Sequence, residues 1–267
     1  MLGSDIGKET SVLLPDGTAL SYTLDSRYFI LALAGRAIGL CFCTYDHTNK
    51  FIYGNYIAVQ ECWRGGDIAH AFFIEVMTIA EELFPQCQGL LFEVERFDKI
   101  RIETIIEHVE KFGAFESVDD RNEIRKFLRT AWYQKMGCLF FCDNKVKEPL
   151  VCTSPSLDPE GGREHWQRME EDYWIMWYRK PGTPLDIGKA NALWVQAVKC
   201  IYIEILAKSL VELSPDSGQE YWRYANEIVD RTLKDSEAKE ITFCRFLYRH
   251  DSPLLRRWSK LGISVAI

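Results

Sequence analysis

The feature that most constrains this chain is a strand, a glycine turn and a helix in immediate succession. Phe51 to Val59 is an apolar, β-prone run that passes through Gln60-Glu61-Cys62-Trp63 into Arg64-Gly65-Gly66. Beyond Asp67, the apolar residues Ile68, Phe72, Val76, Ala80 and Leu83 recur at helical spacing. That order leaves free backbone N–H groups at a helix N-terminus, a ready anion site of a size suited to a pyrophosphate. The glycines let backbone approach a ligand without side chains in the way. Gly65, Gly66, Ile68 and Ala69 would offer N–H groups, and Arg64 a charge-assisted contact. The plainer reading of 64–69 is an ordinary tight strand-to-helix turn.

Charge and hydropathy narrow the classes of function. A net charge of −7 argues against non-specific nucleic-acid binding, which wants a basic face, and leaves room for an amine. The Trp and Arg residues of 220–260 are interleaved with Glu and Asp, so packing explains them better than a nucleic-acid surface. The longest apolar stretch, Tyr28 to Cys43, is broken by Gly35 and Arg36, so no membrane span is expected. The N-terminus lacks the order of a signal peptide, which points to the cytoplasm. Nine cysteines, an odd number scattered through apolar runs, read as buried and reduced. Neither they nor the five histidines fall at metal-ligand spacing, so no metal is expected.

Along the chain, residues 12–14 and 19–24 flank Pro15-Asp16-Gly17 as a hairpin, and 29–33 and 38–45 read as two further strands. With 51–59 they predict an antiparallel meander. The helix after the glycine turn ends near Phe84-Pro85, and Gly89 to Glu95 is the next strand, joined by a right-handed parallel crossover. The sheet is therefore expected to be mixed. Ile102, Ile105, Ile106, Val109 and Phe112 mark a helix closed by Gly113, and Ser117 opens another that runs to about Met136. Residues 138–142 and 173–178 read as strands around a Pro- and Gly-rich loop at 148–166. Pro181-Gly182-Thr183-Pro184 divides a domain at 1–180 from a mostly helical extension at 181–267. In that extension 187–213 predicts one long helix, buried against the first domain or against a second copy in a homodimer. A further helix is expected at 217–234, and 241–267 carries no clear pattern.

Three side chains carry candidate chemistry. Strand alternation sends Glu93 and Glu95 to one face, away from Phe92 and Val94. Two carboxylates on one face of a central strand are costly unless they are used or paired. They serve as a general base or as ion-pair partners of Arg96, Arg125 or Arg129. Tyr133 stands four residues before Gly137-Cys138, either as a proton donor or as a core aromatic beside Trp132. Gln60 and Glu61, at the end of the 51–59 strand, read as a solvated strand end.

The turn Arg64-Gly65-Gly66-Asp67-Ile68-Ala69 and the segment Ala131-Trp132-Tyr133-Gln134-Lys135-Met136-Gly137-Cys138-Leu139-Phe140, in this order and with a strand between them, resemble the GNAT acyl-CoA N-acyltransferases over about residues 20–180. The resemblance implies a mixed, mostly antiparallel sheet flanked by helices, and acetyl-CoA as cosubstrate. It places the pyrophosphate on 64–69 and the pantetheine arm along the backbone of about 55–60, including Ile57, Ala58 and Val59. It implies Tyr133 as general acid to the leaving thiolate, with Glu93 or Glu95 as base for a small-molecule or peptide amine. Asp67 stands where the family prefers glycine, and Cys138 where it prefers Phe. The alternative is a non-catalytic GNAT-like binding or scaffold protein, which Asp67 favours. A further alternative, an unrelated α/β protein sharing only the turn, differs in strand order and in the splay between the two central strands.

Overall fold

A computed structural model of the chain describes residues 8–13, 19–63, 67–156, 161–180, 182, 185–204 and 215–245. Arg64, Gly65 and Gly66, the 205–213 part of the expected long helix, and the chain past 245 lie outside the described residues.

Strands β1 (Lys8–Leu13), β2 (Ala19–Leu33), β3 (Arg36–Asp46) and β4 (Phe51–Val59) form the antiparallel meander. The two strands expected at 19–24 and 29–33 are one. Asp25, Ser26 and Arg27 continue the ladder opposite Tyr45, Thr44 and Cys43. Their polar side chains find partners there: Ser26 Oγ bonds Thr44 Oγ1 at 3.2 Å, and His47 Nε2 lies 3.1 Å from Asp25 Oδ2. Helix α1 (Ile68–Leu83) crosses over to β5 (Gly89–Glu95), which runs parallel to β4.

Helix α2 (Lys99–Phe112) starts where Asp98 Oδ1 accepts from the N–H groups of Ile100 and Arg101, and it stops at Gly113, left-handed at φ 72°. Helix α3 (Val118–Lys135) is capped by Ser117 Oγ, which accepts from Asp120 N at 3.1 Å. Both boundaries match the capping signals in the sequence. After β6 (Leu139–Asp143), the segment read as loop carries β7 (Val151–Ser154) and α4 (Arg163–Arg168), followed by β8 (Glu171–Arg179). Helix α5 (Ala190–Lys199) does not continue as expected. It passes into a π-helical turn, Cys200–Glu204, in which Cys200, Ile201 and Tyr202 are all buried. Three consecutive inward residues are more than a uniform α-helical stripe supplies. Helix α6 (Pro215–Glu237) and β9 (Ile241–Cys244) complete the described chain.

The strands form one sheet in the order β1-β2-β3-β4-β5-β8-β6-β9, with β7 also on β8. Among the described strands only β4 and β5 pair in parallel, so the sheet is mixed and mostly antiparallel, as expected. Alternation divides its side chains between two cores. Phe92 and Val94 of β5, Phe140 of β6 and Met176 of β8 meet α1, α2 and α3 on the first face. Leu91, Phe141, Ile175 and Trp177 meet α5, the π-turn and α6 on the second.

Cys142 on β6 and Cys244 on β9 form a disulfide with Cα atoms 6.0 Å apart, against the expectation that all nine cysteines are reduced. The partners are 102 residues apart, so spacing offered no hint. Reduction should lower stability by about 2–4 kcal/mol, the usual range for a native bond. Thermal unfolding with and without a reductant checks this, and an unchanged transition would show that the bond contributes nothing.

Candidate active site

The parallel pair β4 and β5 is joined only at Ile52↔Leu90 and Tyr53↔Leu91. Beyond these, residues 54–59 and 92–95 form no ladder with each other, and this unpaired stretch between the two strands is called the gap below. A β-bulge opens at this point. Phe42 faces Tyr56 but Cys43 faces Gly54, so Asn55 is the extra residue, and Thr44 Oγ1 donates to its Oδ1 at 3.2 Å. The bulge reverses the alternation of β4. Ile52 lies in the first-face core before it, and Ile57 and Val59 lie there after it, with Ala58 turned the other way. Gln60 N donates to Ile38 O at 2.8 Å, so alternation points the backbone of Ile57 away from β3 and toward the gap.

On the second face beside the gap, Glu93 accepts two short hydrogen bonds. Tyr53 Oη donates to Oε2 at 2.6 Å, and Tyr202 Oη donates to Oε1 at 2.7 Å. Burial raises the Glu93 pKa, and the two phenol bonds act in the opposite direction by stabilising the carboxylate. Burial first, and then the Glu93 charge, hold both phenols well above the ordinary tyrosine range, so they remain donors. Part of Glu93 is still exposed. Glu95, one turn of the pleat further along, is held instead by Arg129 of α3, while Arg96 pairs with Asp172 at 2.7 Å.

Tyr133 lies on the first face. It is buried, and its ring stacks on Phe92 with centroids 4.4 Å apart. Burial pushes its phenol up, so it keeps its proton across the neutral range. Phe92 can lie over β4 only because residue 54 is glycine: a Cβ there would stand 2.3 Å from Phe92 Cε1. Glu93 and Tyr133 therefore flank the gap from opposite faces of the sheet, and Glu95 is not with them.

At the head of α1, Asp67 O accepts from Ala71 N at 2.8 Å, while the exposed Asp67 side chain makes no cap hydrogen bond. Ile68 and Ala69 are half-buried against the first-face core. Alongside α1, an apolar groove of about 670 Å³ runs between Phe29 and Leu31 of β2 and Ile68, Phe72 and Val76. Glu75 is the one charged residue among the described residues of its lining, and β3 separates β2 from the gap strands. Among the described residues no cluster of His, Cys, Asp and Glu could hold a metal ion, and no helix is long and apolar enough to cross a membrane.

Sequence reasoning missed Tyr53 and Tyr202. Tyr53 was legible in principle, since it shares a face with Phe51 before the bulge. Tyr202 was not, because it reaches Glu93 from 109 residues away through a π-turn.

No protein-family model matches the chain, and no curated protein matches it. Among solved structures, the crystal structure of nourseothricin acetyltransferase is similar at 16% identity, over 67% of this chain and 87% of that chain, with a TM-score of 0.32. Likeness at that level assigns no function and maps no residue. The class that the chain's own geometry defines is a mixed α/β protein, with a mostly antiparallel sheet flanked by helices and, among the described residues past 185, a largely helical C-terminal region.

Proposed function

We propose that this chain is an acyl-CoA-dependent N-acyltransferase that moves an acetyl group from acetyl-CoA to a primary amine. The observation that carries the reading is the gap between β4 and β5, with a carboxylate on one side and a phenol on the other. An extended pantetheine arm fits such an opening because a parted strand offers backbone partners to it. Ile57 and Val59 are described residues whose backbone is turned that way, with Ala58 between them. The strand–turn–helix that follows would present Ile68 and Ala69 N–H groups, together with Arg64, Gly65 and Gly66, to the pyrophosphate. When bound, acetyl-CoA supplies an activated acyl group and a thiol leaving group.

The chain's own groups do the proton work. Glu93, its pKa raised by burial, takes a proton from the amine as its nitrogen bonds the acyl carbon. Tyr133 gives a proton to the sulfur as the carbon–sulfur bond breaks. One proton is taken and one given, and solvent restores both residues. A base and an acid on opposite faces suit a transfer in which acceptor and leaving group occupy opposite sides of the gap. Glu95, engaged by Arg129, has no part in the proposal.

Thermal unfolding of the full chain with acetyl-CoA tests the first step. At ligand about 100 times Kd, stabilisation of roughly 2–3 kcal/mol is expected. No shift, with an established acetyl-CoA enzyme responding in the same assay, would end the acyltransferase reading. Binding without transfer to any amine would favour the alternative, a GNAT-like scaffold. Asp67→Gly separates the two roles of that carboxylate. Tighter binding at low salt means it opposes the phosphates, and weaker binding means it shapes the turn.

A further inference from the structure

The second face of β2, β3 and β4 carries a transverse rank of aromatic rings. Tyr28 pairs with Phe42, and Phe42 with Tyr56, so three side chains from three adjacent strands stand side by side. Tyr28 and Phe42 are stacked, with centroids 4.5 Å apart and planes 13° from parallel. Tyr28 is 44% and Tyr56 56% exposed, which is unusual for neighbouring aromatics on a sheet. The rank beyond it, Ile30, Leu40 and Ala58, is apolar, and Ile30 is 60% exposed. The rank before it is Ser26, Thr44 and Tyr53 with the bulged Asn55 beside it, and its polar side chains are hydrogen-bonded: Ser26 and Asn55 both to Thr44, and Tyr53 to Glu93. The platform thus offers flat apolar area and few free polar groups.

The platform also leads to the candidate base. Tyr53 is level with Leu91 in the last ladder pair, and continuing the count along both strands past the bulged Asn55 puts Tyr56 on the same face as Glu93 and next to it in register. From β3 to β5 is two strand spacings, about 10 Å before the gap widens them. A rank of rings ending at a single carboxylate suits a ligand with a flat apolar body and one amine. A polyamine or an amino sugar would want several acids, and the next one along β5, Glu95, is held by Arg129.

We infer that the acceptor is an arylalkylamine that lies on Tyr28, Phe42 and Tyr56 with its amine at Glu93. This rests on the acyl-transfer reading and names its substrate class. Binding of phenethylamine, n-propylamine and spermidine to the full-length protein, measured without acetyl-CoA, tests it. Phenethylamine should bind at least 10-fold more tightly than n-propylamine or spermidine. Tyr56→Ala should weaken phenethylamine about 10-fold, a loss of about 1.4 kcal/mol. Tyr56→Phe should restore it. Three results would each overturn the inference: equal binding of the amines, a preference for spermidine, or no effect of Tyr56→Ala. So would sedimentation showing that Tyr56→Ala converts a dimer to a monomer, since the face would then be a contact between copies. Failure of the amine arm with acetyl-CoA still bound removes only the acceptor class. Failure of acetyl-CoA binding removes the enzyme reading itself.

Discussion

A chain ending at Lys180 should fail to form a stable, soluble monomer. The cut removes α5, the π-turn, α6 and β9, and with them Trp194, Val198, Ile201, Tyr202, Val229 and Ile241 from the second core. Burial of a large apolar side chain contributes about 1.5–3 kcal/mol. Six of them rival the roughly 5–15 kcal/mol by which a domain is stable at all. The cut also uncovers Phe51, Leu91, Phe141, Ile175 and Trp177, leaves β6 as an open edge, and takes away the Cys244 half of the disulfide. Expression of 1–180 followed by sedimentation and circular dichroism reads the outcome. A soluble fragment that unfolds cooperatively within a few degrees of the whole chain would show the extension to be dispensable.

The second large effect is on turnover. Glu93→Gln keeps the size of the side chain and the two phenol neighbours but removes the basic oxygen. Transfer to an amine should fall about 10²–10⁴-fold at neutral pH and recover in part at high pH, where the amine loses its proton unaided. Unchanged turnover would remove Glu93 from the mechanism. Tyr133→Phe should cause a loss on the same scale with acetyl-CoA affinity nearly unchanged, because the ring that stacks on Phe92 remains. Tyr202→Phe distinguishes a positioning role from mere packing. Loss of one donor to the carboxylate raises its pKa further, so the acid limb of the rate profile should move to higher pH.

Stability carries the same signature with a definite sign. The Glu93 carboxyl binds its proton more tightly in the folded chain than in the unfolded one, because burial raises it from the ordinary value of 4.5. Its contribution to stability is thus full below that ordinary range and is lost as pH rises through the raised folded value. The stability of Glu93→Gln relative to the parent should therefore improve as pH climbs through that window.

Much of the layout was legible locally. Gly113 and Ser117 mark the end of α2 and the start of α3 because capping is settled within four residues of a helix end. The crossover from β4 to β5 follows from a helix between two strands of one sheet. Glu93 and Glu95 look equivalent in sequence because alternation alone ranks them equally. Their environments separate them: two phenols for one, an arginine for the other.

The sequence by itself determined the secondary elements with strong periodicity and the mixed sheet, since these depend on neighbours a few residues apart. Tertiary structure alone decided the bulge at Asn55, the π-turn that brings Tyr202 to Glu93, the β9 strand with its disulfide, and the aromatic rank of Tyr28, Phe42 and Tyr56. Each of these depends on strand register or on segments many residues apart meeting in space, and a one-residue change of register turns a side chain to the other face.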